Sequence, residues 1–441
     1  MAMAGATGKS SNAEASKSRR SRRRFLQVAG AAGALGFAGC VQQRNGGTTS
    51  GGGGDGTTQG TAGGGGDIGT VTFGILNPVS GPHSPLGSAQ RQAARIAVDY
   101  VNNSDDFDFE IDAVYEDTKT DPATGRQKAQ KLVEQDGAQV LAGDTNSSVA
   151  LAVADYANNS EVLYTSGGAA MALTGENCNR YTFRNETNTA QQAAGLVDYA
   201  VNNLGKKMWI HTADYAYGNS AIQQIRSRIE AENFSDVEVV GTTKPEQGAS
   251  NFGPQISQIA NSDAEVLAIP LTGGDLINFM KQAESQGLHD QVEIIGTALF
   301  AQVIRGALGS AAYGTYSSTL YNHKLETGDN AQFVQAYQDE YGSPPGSFAR
   351  VGYEAVRMAA RGIQMAGTAD PTEVANTLPD KTMTTVLGDT HFRACDHQSV
   401  NPVWTGKINE PDSGDVGTVE LLNEIPGEEA IPPCDAVNCN M

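Results

Sequence analysis

The chain has 441 residues, with 50 Asp and Glu against 30 Lys and Arg and a formal net charge of −20 at pH 7. Such an acidic balance excludes nucleic acid and anionic lipid surfaces as partners held by charge. The length beyond residue 67 is too great for one core and suits two lobes.

In chain order, the first element is a basic cluster, Arg19 to Arg24, ahead of a short run of small and apolar residues, Leu26 to Gly39. A bilayer span needs roughly 20 apolar residues, so this run reads as the core of an export signal and not as a membrane anchor. Ser21-Arg22-Arg23-Arg24-Phe25-Leu26 resembles a twin-arginine signal, whose pathway carries folded proteins. A solvated basic tail is the plainer alternative. Phe37-Ala38-Gly39-Cys40 resembles a lipobox in which Cys40 becomes the lipidated first residue, with Phe37 where Leu is usual. From Cys40 to Gly66 the chain is Gly, Ser, Thr and Gln almost throughout, the composition of a flexible tether. The expectation is a signal over 1–39, then a lipid-anchored linker over 40–67 that displays a folded body on the outer face of the membrane. Seven of the 30 basic and one of the 50 acidic residues precede Cys40, leaving 23 against 49. Acidic, lysine-poor chains of this kind resemble secreted proteins of extreme halophiles, where salt screens self-repulsion. Asp105, Asp106 and Asp108 accordingly read as solvated surface and not as a calcium site.

The rhythm from Ile68 to about Ile425 is α/β. β-prone runs at Val71 to Leu76, Phe109 to Tyr115, Val140 to Ala142 and Val162 to Thr165 alternate with helical stretches at Ser88 to Val101, Pro122 to Gln135 and Ser147 to Ala157. The rhythm restarts with Met208 to His211, Val237 to Val240, Val266 to Ile269 and Val292 to Ile295, the signature of crossover units on parallel sheets. Asn330 to Met365 reads as helical with a break at Gly342 to Gly346. The predicted fold class is α/β, two Rossmann-like lobes with parallel sheets.

Ligands of open parallel sheets bind beyond the carboxyl ends of the strands. Four turns lie there: Asn77 to Pro82, Gly143 to Ser148, Thr165 to Ala169 and Asp214 to Gly218. In the second, Asn146 or Ser147 caps a helix whose free N–H groups, with the Ser147 and Ser148 hydroxyls, offer a nest for a carboxylate; ordinary capping is the competing explanation. Gly167 and Gly168 either admit a ligand close to the backbone or merely turn the chain, and the first is preferred because both turns belong to one lobe. Tyr217 suits a ring with a polar tip closing over a ligand from the other lobe, or a packed core residue.

GILNPVSGPHSPLG, ARIAVDYVN, GDTNSS, TSGGAA, YTFRNET and AYG, in this order, resemble the type I periplasmic binding proteins of branched-chain amino acid transport, the solute receptors of ABC importers. The resemblance spans Val71 to about Ile408. It implies two lobes joined by three crossovers, near Phe183 to Thr189, Ser317 to His323 and Phe392 to Asn401, which close on a small molecule and deliver it to permease subunits. The implied bounds are 68–187 with 318–392 for the first lobe, 188–317 with 393–422 for the second, and a tail over 423–441. The implied ligand contacts are Ser147 and the backbone around Gly167 for a carboxylate, and Tyr217 as the aromatic contact from the second lobe; Ser80, Ser148, Gly168, Ala169 and Thr297 complete the expected set. Two positions depart from the amino-acid binders: Ala169 stands where they have Thr, and Ala298 where a Glu holds the ammonium group. A buried ammonium without a carboxylate costs several kcal/mol. Either Glu246 or Asp214 replaces that Glu, or the ligand is an amide, a urea-like compound or a carboxylate.

Besides Cys40 the chain carries Cys178, Cys395, Cys434 and Cys439, an even number that fits two disulfides in an exported protein. Cys434 and Cys439 either close a small loop or staple the tail back to Cys178 and Cys395, the arrangement preferred here. No pair has zinc-finger spacing, and no metal or cofactor is expected. The G-x-S-x-G, H-E-x-x-H and G-x-x-x-x-G-K patterns are missing, and the six histidines form no nucleophile–base pattern, so no catalytic residue and no enzyme is expected. An exported hydrolase and a sensory receptor of the same fold are the rival functions. His83, beside the first turn, is the one histidine worth testing as a site residue, with an exposed loop residue as the preferred reading.

Overall fold

The computed structural model describes residues 68–441, and the signal, Cys40 and linker expectations lie outside the described residues. Five strands form the first sheet: β1 (Gly69–Asn77), β2 (Phe109–Asp117), β3 (Val140–Gly143), β4 (Leu163–Ser166) and β5 (Thr182–Arg184). They are all parallel and ordered β2-β1-β3-β4-β5. Alternation along β1 sends Val71, Phe73 and Ile75 into the core under the helices Ser84–Asn103 and Ser347–Ala366, while Leu76 joins the opposite core under Pro122–Glu134 and Ser147–Asn159. The sheet is therefore covered on both faces, as a parallel sheet requires.

The second sheet contains β6 (Lys207–His211), β7 (Glu238–Thr243), β8 (Val266–Ile269), β9 (Glu293–Gly296) and β10 (Tyr316–Thr319). A hairpin, β11 (Met383–Thr385) with β12 (Gly388–Thr390), stands apart, and β13 (Val403–Asn409) and β14 (Thr418–Ile425) finish the second sheet. Its order is β14-β13-β10-β9-β8-β6-β7. β6 to β10 pair in parallel, whereas β13 and β14 add antiparallel strands that the sequence pattern did not announce. β14 also carries the second lobe to Ile425, three residues past the expected bound at 422. The predicted break between two late helices is present: Asn330–Tyr341 ends on Gly342 in the left-handed region (φ 71°), and the next helix begins at Ser347.

The chain passes between the sheets after β5, after β10, and again before β13. The first and third passages are hydrogen-bonded to one another. The Arg184 amide donates to the His397 carbonyl and the Ser399 amide to the Arg184 carbonyl, both at 3.0 Å. Beyond β14, disulfides join Cys178 to Cys439 and Cys395 to Cys434, so the tail is tied to the first lobe and to the third passage. Among the described residues no helix is long and apolar enough to cross a membrane, and no cluster of His, Cys, Asp and Glu could hold a metal ion.

Candidate functional site

Between the lobes lies a cavity of about 20 Å³, room for little more than one water-sized group. Its walls are the residues just past the carboxyl ends of strands: Thr145 after β3, Gly167 and Ala169 after β4, Tyr215 and Tyr217 after β6, Thr272 after β8, Thr297 and Ala298 after β9, and Leu320 after β10. Leu86 and Phe348 close it from the helices of the first lobe. Gln192 and Glu186 line it from the first passage and the helix that follows. Admission of anything larger requires the lobes to part.

The walls are stitched by hydroxyls. The Tyr217 hydroxyl lies 2.9 Å from Gln192 Oε1, to which it donates, and 2.7 Å from Thr297 Oγ1. Burial pushes the Tyr217 phenol above its ordinary range, so it stays neutral. Tyr215 pairs with Thr272 Oγ1 at 3.1 Å.

His83 corrects the expectation of an exposed loop residue: it is 2% exposed and bridges the lobes. Its Nε2 meets Thr272 Oγ1 at 3.2 Å and Gln247 Nε2 at 3.1 Å, both in the second lobe, and its Nδ1 meets Thr145 Oγ1 at 3.0 Å. An amide nitrogen only donates, so Nε2 accepts and the ring proton sits on Nδ1, donating to Thr145. Burial lowers the His83 pKa to about 4, which keeps the ring neutral. Beside it the lobes touch backbone to backbone, with the Gly274 amide donating to the Pro82 carbonyl at 2.8 Å. Gly273 permits this approach, since a Cβ there would sit 2.5 Å from that carbonyl oxygen and the residue's φ is +61°.

Of the expected contacts, Gly167, Ala169, Tyr217 and Thr297 line the cavity, as does Ala298. Ser80 does not: it is exposed and donates its hydroxyl to Asp117 Oδ2 at 2.7 Å. Ser147 is buried but also off the cavity, because its hydroxyl oxygen accepts the amides of Ala169 and Ala170, each at 3.1 Å. Ser148 accepts the Ala216 amide at 3.3 Å across the lobes. The helix cap falls to Asn146, whose side chain accepts from Ser148 and Val149. A Cβ on Gly168 would meet Ala150 Cβ at 2.6 Å and one on Gly167 the Asp144 carbonyl at 2.6 Å, so both glycines serve the packing of their own lobe.

The substitutes considered for the missing acid are elsewhere. Asp214 is exposed and paired with Lys244 at 3.1 Å, and neither it nor Glu246 lines the cavity. The carboxylate in the wall is Glu186, 1% exposed, which the local sequence pattern shows only as one of two charges inside Tyr181-Thr182-Phe183-Arg184-Asn185-Glu186-Thr187. Its Oε1 accepts the Thr187 amide at 2.8 Å and hydroxyl at 3.0 Å and lies 3.5 Å from Arg350 Nη2. Its Oε2 is buried without a partner. Burial raises the Glu186 pKa and the Arg350 charge only partly offsets this.

Residues 70–415 match the family described as periplasmic binding protein. A Leu/Ile/Val-binding protein homolog from Brucella melitensis is 24% identical over 397 residues, covering 83% of this chain and 91% of that protein. An ABC transporter substrate-binding protein from Sphaerobacter thermophilus superposes with a TM-score of 0.73 at 26% identity, over 82% of this chain and 99% of that one. A solute-binding protein of an ABC transporter from Rhodopseudomonas palustris, solved with 3,4-dihydroxybenzoic acid, gives a TM-score of 0.74 at 22% identity, over 81% of this chain and 98% of that one.

Proposed function

The chain belongs to the periplasmic binding protein family, in its type I branched-chain amino acid group, and from that premise we propose that it is an extracytoplasmic receptor that captures a small polar solute by closure of its lobes and hands it to the permease of an ABC importer. One observation carries this above the others: a cavity at the strand ends walled by both lobes and by the passage between them. A molecule held there touches both lobes at once and so favours the closed form over the open one. Relatives that bind Leu, Ile and Val by name, and one solved with a hydroxylated benzoate, support a ligand among amino acids, amides and small carboxylates.

The arginine pair Arg22-Arg23 and Cys40 support delivery as a folded protein and a lipid tether on the outer membrane face. Cys40→Ser then shifts the protein from the membrane to the soluble fraction, and a variant still found with membranes removes the tether. The receptor function is tested by thermal shift in high salt with amino acids, amides and short carboxylates, where a ligand stabilises in proportion to its affinity. A melting temperature unmoved by every class refutes it.

A further inference from the structure

Resting on the receptor assignment above, we infer that Glu186 is the specificity-determining group of the cavity and that the solute presents a primary ammonium group to its Oε2. Three observations converge. Oε2 is the unpartnered oxygen of a carboxylate that is 1% exposed and forms part of the cavity wall. Buried polar atoms left without a partner are rare in folded proteins, and a ligand atom is one of the few things that resolves them. The other oxygen accepts the Thr187 amide and hydroxyl, with Arg350 Nη2 3.5 Å away, so the carboxylate is held in place while Oε2 remains to receive a donor.

The charges around the cavity set the sign of that donor. Glu186 is the one carboxylate among the lining residues, and no Lys, Arg or His lines the cavity. Arg350 is not among the lining residues; its Nη1 donates to the Asn185 carbonyl at 2.9 Å, while its Nε and Nη2 have no hydrogen-bond partner. A ligand bearing only a carboxylate would place like charge beside Glu186 in a site shielded from water, where repulsion is strong. Amides that an anion would seek at the third turn are already spent, those of Ala169 and Ala170 on Ser147 and that of Gly168 on Ser166, and at the second turn those of Asn146 and Ser148 are taken by Asp144 and Asn146. What remains in the wall is the Gln192 amide and the hydroxyls of Thr145, Thr272, Thr297, Tyr215 and Tyr217, which serve a neutral or zwitterionic molecule from either side of the hydrogen bond. The acid missing at Ala298 is in this way replaced from the passage between the lobes and not from a neighbouring loop.

The test compares matched pairs on the unaltered full chain by calorimetry: L-leucine with L-2-hydroxy-4-methylpentanoate, L-alanine with L-lactate, L-phenylalanine with L-phenyllactate, and benzoate alone. The amino member of at least one pair binds, at least about tenfold tighter than its hydroxy partner. In Glu186→Gln the amino compound weakens at least about tenfold and the difference within that pair shrinks. A hydroxy acid or benzoate binding as tightly as any amino compound, or amino binding undiminished in Glu186→Gln, overturns the role of Glu186 and leaves the receptor function standing. No binding by any compound overturns the ammonium assignment, and together with an unmoved thermal-shift panel it removes the receptor function too. Should Glu186→Gln lower the melting temperature without ligand, the pair comparison on the unaltered chain decides alone.

Discussion

His83→Phe tests whether the closed cleft is latched by a neutral imidazole. The substitution keeps a ring of similar size against Tyr215, whose centroid lies 5.8 Å away in an edge-on contact, and removes the contacts to Thr272 and Gln247 across the lobes. Two hydrogen bonds at about 0.5 to 1.5 kcal/mol each predict a loss of about 1 to 3 kcal/mol in closure, or roughly 5- to 150-fold in apparent affinity. The pH profile is the sharper signature. An open cleft returns His83 to water and to its ordinary value of 6.5, whereas the closed cleft holds it at about 4, so closure must expel a proton below pH 6.5. Closing is unaffected above about pH 7, weakens as pH falls through the window between 6.5 and 4, and levels off below it, the full span being worth about 3 kcal/mol. At pH 5 this amounts to about 2 kcal/mol, roughly thirtyfold weaker binding. Asp144, also perturbed, accepts from Thr118 and the Asn146 amide within the first lobe and is retained in the unaltered protein and the variant alike. Glu186 titrates in unaltered protein and variant alike, so the difference between the two profiles isolates His83. Calorimetric affinities from pH 7.5 to 4.5 supply both profiles, and identical slopes for His83→Phe and the unaltered protein refute the latch.

Ser147→Ala strips the acceptor from two buried amides, those of Ala169 and Ala170, and is expected to lower stability by about 1 to 3 kcal/mol, read as a lower melting temperature without ligand. An unchanged melting temperature would return Ser147 to direct ligand contact. Asp144 is held by burial at a pKa of about 7 against an ordinary 3.8, so the fold binds its proton more tightly than the unfolded chain; its share of stability is full below pH 3.8 and is lost as pH rises to 7. Asp144→Asn should therefore gain on the unaltered protein between pH 5 and 8, by a few kcal/mol at most, a difference in which His83 cancels; parallel pH curves would show that Asp144 is ionised in the fold throughout. Replacing Cys178 and Cys439 together by Ser removes a link across 261 residues, worth on the order of 5 kcal/mol as a ceiling in the chain-entropy view, and a lower denaturant midpoint is expected. A midpoint unchanged by the double substitution would mean that the tail adds nothing to the body.

The strands and the four turns were legible because short β-prone apolar runs and Gly-, Ser- and Asn-rich turns are local signals. Val266 to Ile269 appears as read, and Tyr217, Thr297, Gly167 and Ala169 stand in the cavity wall because each lies within a few residues of the carboxyl end of a strand. What escaped are relations between distant segments. His83 reads as a loop residue until Gln247 and Thr272, 164 and 189 positions later, come to rest on it. Ser147 has the right residue type in the right turn, yet the nearest amides are those of Ala169 and Ala170, and they claim its hydroxyl first. The antiparallel strand β14 was hidden because Thr418 to Ile425 is mostly exposed and lacks the apolar alternation that marks a half-buried strand. Glu186 was hidden for the opposite reason: one charge in a buried passage leaves no periodic trace.

The position of Glu186 on that passage bears on the order of events during capture. Residues 184–186 are bound to 397–401 by the paired Arg184, His397 and Ser399 backbone contacts, by Gln398 Nε2 donating to the Glu186 carbonyl at 2.8 Å, and by Asn401 Nδ2 donating to the Asn185 carbonyl at 3.0 Å. Two of the three passages thus form one strap. A rotation of the lobes about the strap moves each residue in proportion to its distance from it, so Glu186 keeps its surroundings while the contacts of His83 with Thr272 and Gln247 must break and reform. A solute can therefore be read by charge at the strap while the cleft is open, before the Tyr217 and Thr297 hydroxyls and the His83 bridge complete the enclosure. On this geometry Glu186→Gln should slow neither opening nor closing but shorten the stay of the ligand in the open form, whereas His83→Phe should shorten the life of the closed form. Stopped-flow binding separates the two, because only the first substitution lowers the initial encounter affinity; equal effects of both on that first step would place Glu186 within the closing motion and not at its axis.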